Sequence, residues 1–562
     1  MTTKATLVAS AVAVAGLAVY YRNDCWQRGV LSIFQSPRKT YEDLCDELKA
    51  LSALGGCMAL LEWDELVMMA DGSADARAEQ KAALAEVIHE RSVSKTLKAF
   101  INAAKSAAVL RELDEYEAAT VRDAERDYLK AVKTPKALAR LEAELSSQGY
   151  QCWVKAREAN DWALFAPMLE RILQMRKQIA AACAPNSDPY DFCIDNFERG
   201  LSHARLQAVL SQVKEGLVPL IQAVTLKRQL TTHKSLKGKF DVAQQEVLSR
   251  QVAAELGFSF EHGRFDKSVH PFTGGTHPTD TRITTRFEED SLISALMGTV
   301  HETGHAMYEQ QRNTTHADLP VSMALSMGVH ESQSLLWERM VGQSKAFWTY
   351  LTPLVHNFFP QTRKASAEEL YQFVNVVKPS LIRVDADELT YPLHIIVRFE
   401  LEKELFDGSL LVKDLPQAWN QKYQEYLGVA PPTDAEGVLQ DVHWSDGSFG
   451  YFPSYTLGAM FACQFYQAAL KELPGLEKSI ALGDFRPLKE WLGAKIHQVG
   501  SLHPSADELC LKVTGEVLNP QVFIDYLTKK YTELYDLSLP GVPQPPKNPR
   551  SGFLRRISLS LS

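Results

Sequence analysis

Two histidines four residues apart carry the clearest chemistry in this sequence. His301, Glu302 and His305 form the pattern H-E-x-x-H. The preceding residues 291–297 have apolar side chains at helical spacing behind Asp290, a good N-cap. On a helix His301 and His305 share one face and can bind a single ion. Glu302 is turned about 100° away, because one turn takes roughly 3.6 residues, so it can act on a bound water without being a ligand. The arrangement is typical of a zinc hydrolase.

A second acidic motif supports this interpretation of the first. A lone H-E-x-x-H arises by chance in roughly 2% of chains of this length and histidine content, and helical histidines are often surface or core residues. Residues 330–334 read His-Glu-Ser-Gln-Ser, in a segment from 323 to 340 that is again helical and apolar in pattern. A catalytic zinc needs three protein ligands and one open position. Glu331 on a neighbouring helix would complete a His-His-Glu site.

The composition is that of a soluble globular protein, with 45% hydrophobic and 23% charged residues. A length of 562 residues allows two or three domains, or one large helical body. The net charge of −9 argues against a nucleic-acid partner. The eight cysteines form no C-x-x-C pair, which predicts free, mostly buried thiols and a reducing compartment. We expect Cys57 and Trp63 to be core residues.

The periodicity of the chain predicts a mainly α fold. Amphipathic helices fill residues 41–184, resume after a break at 188–191, and continue beyond the two metal motifs to about 537. Residues 281–287 are the exception, because they alternate and are rich in β-branched side chains after a loop-like stretch at 270–278. We therefore expect a small β-hairpin or sheet beside the H-E-x-x-H helix, with an edge that could hold an extended peptide.

The two ends of the chain differ from the predicted helical domain, residues 37–538. Residues 5–21 are uncharged and rich in Ala and Val, at the lower length limit for spanning a bilayer. We interpret residues 1–36 as a targeting or membrane-anchor segment, with secretion left open. The expected location is therefore membrane-anchored or organelle-targeted, and otherwise cytoplasmic. Residues 539–562 are Pro-rich and then basic, which predicts a solvated tail.

Several further groups of residues occur together with the two metal motifs. They are Trp63-Asp64 with Gly72 and Glu79-Gln80, His270-Pro271-Phe272, Asp280-x-Arg282-x-Thr284, Tyr308-Glu309-Gln310, Ile382-Arg383 with Ala386-Asp387-Glu388 and Tyr391, and Gln440-Asp441 with His443-Trp444. With these motifs in this order, residues 38–537 resemble the thermostable carboxypeptidase Taq family, the M32-type metallocarboxypeptidases.

The resemblance implies an activity and an architecture. It implies a metallocarboxypeptidase of broad specificity that removes single residues from peptides with a free C-terminal carboxylate. It implies an almost all-helical, saddle-shaped body with a deep groove, and a homodimer. It also implies a zinc ion, for which cobalt can substitute. In the roles carried over by motif, His301, His305 and Glu331 are the metal ligands and Glu302 is the general base.

The remaining roles concern the substrate. By resemblance, Arg383 clamps the terminal carboxylate, for which its planar fork is suited. Tyr455 and His443 are candidates to stabilise the oxyanion, and Arg282 and His270 are substrate-binding candidates near the site. From the residues alone, Arg383 is more often a structural ion pair, and Tyr455 a core aromatic with a hydrogen-bonded hydroxyl.

Two positions depart from the family pattern. Leu335 follows the second motif where the family usually has Arg, and Arg339 follows Trp-Glu where it usually has Asn. Neither is a ligand position, so the departures bear on local ion pairing and activity level.

Two other functions stay open. One is an endopeptidase or oligopeptidase of a neighbouring helical H-E-x-x-H family, against which Arg383 and the motif at 440–444 argue. The other is a binding or scaffold protein that kept the fold and lost turnover, against which the full set of ligand and base residues argues.

Overall fold

The computed structural model describes residues 36–227 and 238–538. Ten helices precede the sheet in this part of the chain: α1 (Pro37–Val67), α2 (Ala74–Ser92), α3 (Lys95–Ala104), α4 (Ala107–Leu110), α5 (Glu115–Lys133), α6 (Lys136–Ala159), α7 (Trp162–Cys183), α8 (Pro189–Asp195), α9 (His203–Thr225) and α10 (Val242–Leu256). The three strands are β1 (Gly263–Lys267), β2 (Thr273–His277) and β3 (Asp280–Thr285).

Helices also follow the sheet in the described residues. They are α11 (Leu292–Gln310), α12 (Met327–Leu335), α13 (Lys345–Phe358), α14 (Ala367–Val374), α15 (Tyr391–Asp407), α16 (Leu415–Leu427), α17 (Pro453–Glu472), α18 (Leu476–Ala481), α19 (Arg486–Leu492), α20 (Ala506–Thr514) and α21 (Pro520–Tyr535), with π-helical segments at Leu336–Gly342 and Gly493–His497. The predicted mainly α fold with a small sheet is confirmed. The saddle shape and the deep groove stay predictions, as do the domain boundaries.

Local sequence explains where the helix of the first metal motif begins. Ser291, not the predicted Asp290, is the N-cap of α11, and its hydroxyl accepts the backbone N–H of Ser294. Both residue types can cap a helix, so the sequence pattern does not choose between neighbours. The face of α11 that includes Val300 and Met307 is buried in the main hydrophobic core.

The sheet lies directly against the helix of the first metal motif. Its order is β1–β3–β2, with β1 parallel and β2 antiparallel to β3. Phe265 of β1 and Ile283 of β3 form a small hydrophobic cluster with Ala306 of α11. The predicted small sheet is therefore confirmed, with β3 in the alternating stretch. The edge strand β2 lies in residues 270–278, which the sequence predicted to be a loop. The strand β1 was not predicted.

Two glycines allow three helices to approach closely. A Cβ on Gly304 would lie 2.6 Å from the carbonyl oxygen of Gln333 on α12. A Cβ on Gly458 of α17 would lie 2.8 Å from Cγ of Glu331. At neither position does a larger side chain fit unless the backbone or Glu331 shifts. The glycine inside the first metal motif thus brings the second motif within reach of its histidines.

The described cysteines are free thiols, and most of them are buried as predicted. Cys57 is exposed on α1, so its placement in the core was wrong. Trp63, six residues later on the same helix, is 3% exposed and packs on the ring of Phe272 before β2. The sequence shows both residues as apolar, but only the tertiary contact with the sheet decides which one is buried.

Among residues 36–227 and 238–538, no helix has the length and apolar character needed to cross a membrane. The predicted membrane anchoring receives no support there. The segment on which that prediction rested, residues 5–21, lies outside the described residues, as does the predicted tail at 539–562.

Candidate metal centre and active site

The structure brings the three predicted metal ligands together. His301 and His305 lie one turn apart on α11, and Glu331 comes from α12. Their candidate ligand atoms all lie within 4.8 Å of one another, and Nε2 of His305 is 3.3 Å from Oε2 of Glu331. Two nitrogen donors and one carboxylate at this spacing suit a divalent ion that keeps an open position for water.

The carboxylate of Glu338 fixes the orientation of the His301 ring. Nδ1 of His301 lies 2.7 Å from Oε2 of Glu338, seven residues after Glu331 on the continuing helix. This contact leaves Nε2 of His301 for an ion, an arrangement common for metal-binding histidines. Burial opposes protonation of His301, but Glu338 and Glu331 raise its pKa to about 10. The pocket therefore attracts positive charge strongly.

The second ligand is oriented by a longer chain of contacts. Nδ1 of His305 lies 2.7 Å from Nδ1 of His330, whose Nε2 lies 2.9 Å from Glu309. Arg312 donates to the other oxygen of Glu309 at 2.8 Å. Although burial alone would raise the pKa of Glu309, His330 and Arg312 lower it to about 2. Glu309 is therefore an ionised acceptor that holds His330 in place.

Glu302 is held beside the ligands by the sheet. It is 6% exposed, and its Oε2 accepts a hydrogen bond from Oγ1 of Thr273 at 2.7 Å. Thr273 is the first residue of β2, and its Oγ1 also lies 3.0 Å from the carbonyl oxygen of Glu302. The edge strand thus sets the direction of the predicted general base.

Arg383 occupies a buried network on a different segment of the chain. Its Nε donates to Asp441 and its Nη1 to the hydroxyl of Tyr391, both at 2.9 Å, and its backbone N–H donates to Gln440. The other oxygen of Asp441 accepts from Nε of Arg398 at 2.6 Å. Within the described residues, Nη2 of Arg383 has no hydrogen-bond partner. Arg383 is thus both an ion-pair residue and a possible donor to a ligand.

Tyr455 packs on this network and lies on the helix that packs against Glu331. The guanidinium carbon of Arg383 lies 5.0 Å from the centre of its ring, and Tyr455 lies one turn before Gly458, which touches Glu331. Burial raises the pKa of Tyr455 well above its usual value, and the Glu331 charge adds to the effect. Its hydroxyl is therefore protonated at neutral pH.

His443 packs among aromatic rings next to the same network. Its ring centre is 5.1 Å from that of Tyr451 and 4.7 Å from that of Phe452. Burial lowers the pKa of His443 to about 4, so the imidazole is neutral at pH 7. Its Nδ1 is buried without a hydrogen-bond partner in the described part of the chain.

Arg282 and His270 lie farther out, in the sheet and its preceding loop. Arg282 donates two hydrogen bonds to Asp280 at 2.8 Å each, and its guanidinium stacks over the ring of Trp63. The His270 residue is exposed. In the described residues, no hydrogen bond, ion pair or ring contact joins either side chain to a predicted ligand or to Glu302.

A cavity of about 880 Å³ opens beside the centre. Its wall includes β2 from Thr273 to His277, together with Glu309 and His330. Thr273, which holds Glu302, and Glu309 and His330, which orient His305, therefore line one common cavity.

Sequence reasoning assigned no role to Thr273 or Glu338. A signal for Glu338 was present, since seven residues make two helical turns and place it on the face of Glu331. No local signal could identify Thr273, because its contact with Glu302 joins residues 29 positions apart.

A helical fold with a half-buried His-His-Glu cluster and the carboxylate of Glu302 beside an edge strand defines a metal-dependent hydrolase. Comparison with known proteins makes this specific. Residues 43–531 match the family model described as carboxypeptidase Taq (M32) metallopeptidase. The chain belongs to this family, and it is a metallocarboxypeptidase, a peptide hydrolase.

Named relatives agree with the assignment. The chain is 38% identical to carboxypeptidase 1 of Bacillus subtilis, over 88% of this chain and 99% of the relative. It is also 38% identical to thermostable carboxypeptidase 1 of Thermus thermophilus, over 89% and 100%. The crystal structure of an M32 carboxypeptidase from Deinococcus radiodurans superposes with a TM-score of 0.86 at 37% identity, covering 89% of this chain and 100% of the other.

These comparisons decide two of the open expectations. The endopeptidase alternative is not favoured, because the family model and the relatives are carboxypeptidases. The predicted location, membrane-anchored or organelle-targeted, is wrong. The carboxypeptidases matched over nearly their full length give it no support, and the described residues include no helix able to cross a membrane.

Proposed function

We propose that the protein is a zinc carboxypeptidase of broad specificity that removes one residue at a time from the C-terminus of peptides. The observation that carries the proposal is the convergence of two sites. The guanidinium of Arg383, with Nη2 unpaired, packs on the ring of Tyr455, and the helix that carries Tyr455 packs at Gly458 against Glu331 of the His301–His305–Glu331 cluster.

His301, His305 and Glu331 would hold the ion, with cobalt able to replace zinc. When bound, a divalent ion of this kind supplies a nucleophilic water at neutral pH and polarises the scissile carbonyl. The contacts of Glu338 and His330 support this assignment, because they fix both imidazole rings with one nitrogen directed to the cluster.

Glu302 accepts a proton from the attacking water and passes it to the amine that leaves. Its carboxylate is suited to this role, because Thr273 holds one oxygen and the residue is shielded from solvent. The peptide C–N bond breaks, and the hydroxyl group of the water becomes part of the new carboxylic acid. The remaining proton of the water is transferred to the amine.

Arg383 binds the terminal carboxylate of the substrate. Asp441 and Tyr391 hold two of its nitrogens, so the third has a fixed direction before substrate arrives. A charge-assisted bond from a pre-oriented guanidinium is strong and directional. This distinguishes a free C-terminus from an internal peptide bond, which carries no charge.

Tyr455 and His443 stabilise negative charge on the carbonyl oxygen. At pH 7 the Tyr455 hydroxyl and the neutral His443 imidazole each carry one proton that can be donated in a hydrogen bond. A donor that reaches the oxyanion contributes roughly 3–4 kcal/mol. His270 and Arg282 contribute at the outer part of the site, where His270 is exposed and Arg282 stiffens the β2–β3 hairpin through Asp280.

The test is mass spectrometry of a short free-acid peptide incubated with the protein. A ladder of products that lose one C-terminal residue at a time is expected. A chelator should stop it, and zinc or cobalt should restore it. Glu302→Gln should retain the metal and lower kcat by about 10²- to 10⁴-fold, because general base catalysis is lost.

Internal cleavage, or a ladder that persists in chelator and in Glu302→Gln, would contradict the proposal. A homodimer is also proposed, on the basis of the family. Light scattering that gives the mass of one chain at assay concentration would exclude it.

A further inference from the structure

Arg339 is buried beside the Arg383 network and, among the described residues, has no hydrogen-bond or ion-pair partner. It lies in the π-helical segment that follows α12 and is 6% exposed. Its guanidinium carbon is 5.1 Å from the centre of the Tyr391 ring. Nη1 is fully buried without a hydrogen bond. In the described part of the chain, no hydrogen bond or ion pair involves this side chain.

The carboxylates whose charges act on Arg339 each contact another group instead. Glu338 is bonded to His301, and Glu388 accepts from Nζ of Lys530 at 2.6 Å. Glu331 belongs to the metal cluster. Burial acts to lower the pKa of Arg339, but the charges of these carboxylates raise it. The guanidinium is thus a charged group whose donors have no acceptor within bonding distance.

Arg398 shows what a structural arginine looks like in the same region. It is fully buried, and each of its three nitrogens is bonded: Nε to Asp441, Nη1 to the carbonyl oxygen of His394, and Nη2 to Gln440. An unsatisfied buried donor costs free energy, the more so on a charged group. A buried arginine without such bonds is therefore expected where a ligand supplies the acceptor.

The position of Arg339 relative to Arg383 indicates what the ligand is. Arg339 faces the ring of Tyr391, and Arg383 donates to the hydroxyl of the same tyrosine. One tyrosine therefore lies between two guanidiniums, each with at least one free donor. If Arg383 holds the terminal carboxylate, Arg339, which shares Tyr391 with it, is the unpaired guanidinium available to the side chain of that same terminal residue.

We propose that Arg339 binds the side-chain carboxylate of a C-terminal Glu or Asp, so that the enzyme accepts peptides that end in an acidic residue. The inference rests on the proposed carboxypeptidase function and names a substrate class for it. A guanidinium matches a carboxylate in shape and charge. A site built for such a partner discriminates against a substrate that lacks it, because its own donors are then left unpaired.

The experiment compares two peptides of identical sequence that end in Glu or in Gln, with a third that ends in Leu. At neutral pH, wild-type protein is expected to show a kcat/KM for the Glu peptide about tenfold or more above that for the Gln peptide. Arg339→Met should lower this ratio by about 10- to 100-fold. Arg339→Lys should retain part of the preference, because it keeps the charge without the planar fork.

Arg486→Met is the matched control. Arg486 is an exposed arginine paired with Asp484, and its loss should leave the Glu-to-Gln ratio unchanged. Bound metal is measured in each variant. Arg339→Met should retain the metal content of the wild type.

Two results would overturn the inference. One is a wild-type protein that cleaves the Leu and Gln peptides but does not prefer Glu over Gln, a result that requires no variant. The other is an Arg339→Met protein that loses activity on all three peptides equally, or loses metal, since the arginine would then support the centre. If wild-type protein cleaves none of the three, the proposed function itself fails together with the inference.

Discussion

The metal side and the substrate side of the site differ in how their buried polar groups are satisfied. On the metal side, Nδ1 of each ligand histidine is bonded to an outer residue, Glu338 or His330. On the substrate side, Arg383 keeps one nitrogen free and Arg339 makes no hydrogen bond to the described residues. The outward nitrogens of the predicted ion ligands are bonded within the fold, whereas the two arginines of the predicted substrate side are left short of partners.

The largest expected effect comes from a substitution of Arg383, on the substrate side. Arg383→Met should lower kcat/KM for a free-acid peptide by about 100-fold, because a charge-assisted bond to the terminal carboxylate is lost. The fold should persist, since Asp441 keeps its bonds to Arg398. The measurement is kinetics on a free-acid peptide, with Arg486→Met as control. A fall no larger than that of the control would show that Arg383 is only a structural ion-pair residue.

A smaller effect is expected on the metal side. Glu338→Gln keeps an acceptor for Nδ1 of His301 but removes the charge that favours its orientation and basicity. Metal affinity should fall by about 10- to 100-fold, measured by competition with a chromogenic chelator. Glu289→Gln, an exposed carboxylate paired with Lys239, is the control. Unchanged affinity in Glu338→Gln would mean that the contact does not tune the centre.

The smallest effect concerns the alignment of the base. Thr273→Val removes the hydroxyl that bonds Glu302 and should lower kcat by about tenfold or less, as for a single neutral hydrogen bond. Metal content should not change, since Thr273 contacts no ligand. Thr349→Val, on the exposed face of α13, serves as reference. Loss of metal in Thr273→Val would instead mean that β2 supports the His301–His305–Glu331 cluster.

The two sides also differ in what the sequence could predict. The metal side could be predicted from local periodicity, because two histidines one turn apart and a glutamate on the next helix form a sequence pattern. Glycine at 304, which allows the helices to meet, is part of the same motif. The family and the mainly α fold were predicted from such motifs and confirmed by the comparisons.

The substrate side depends on contacts between distant segments. The burial of Arg339 beside Tyr391 joins residues 52 positions apart, and Thr273 reaches Glu302 across 29. Strand β1 was missed because a five-residue segment that includes Gly263 and three charged residues has no clear alternation and gains its partner only through β3. The exposure of Cys57 likewise depends on which face of α1 the sheet covers.

The central claim is recognition of a free C-terminus next to the metal cluster, and one measurement tests it most directly. A peptide and its C-terminal amide are offered separately to wild-type protein, and the release of the last residue is followed by mass spectrometry. The account predicts release from the free acid at a rate at least about 100-fold above that from the amide, because only the acid can pair with Arg383. Equal rates for the two peptides, or cuts within the chain, would contradict it.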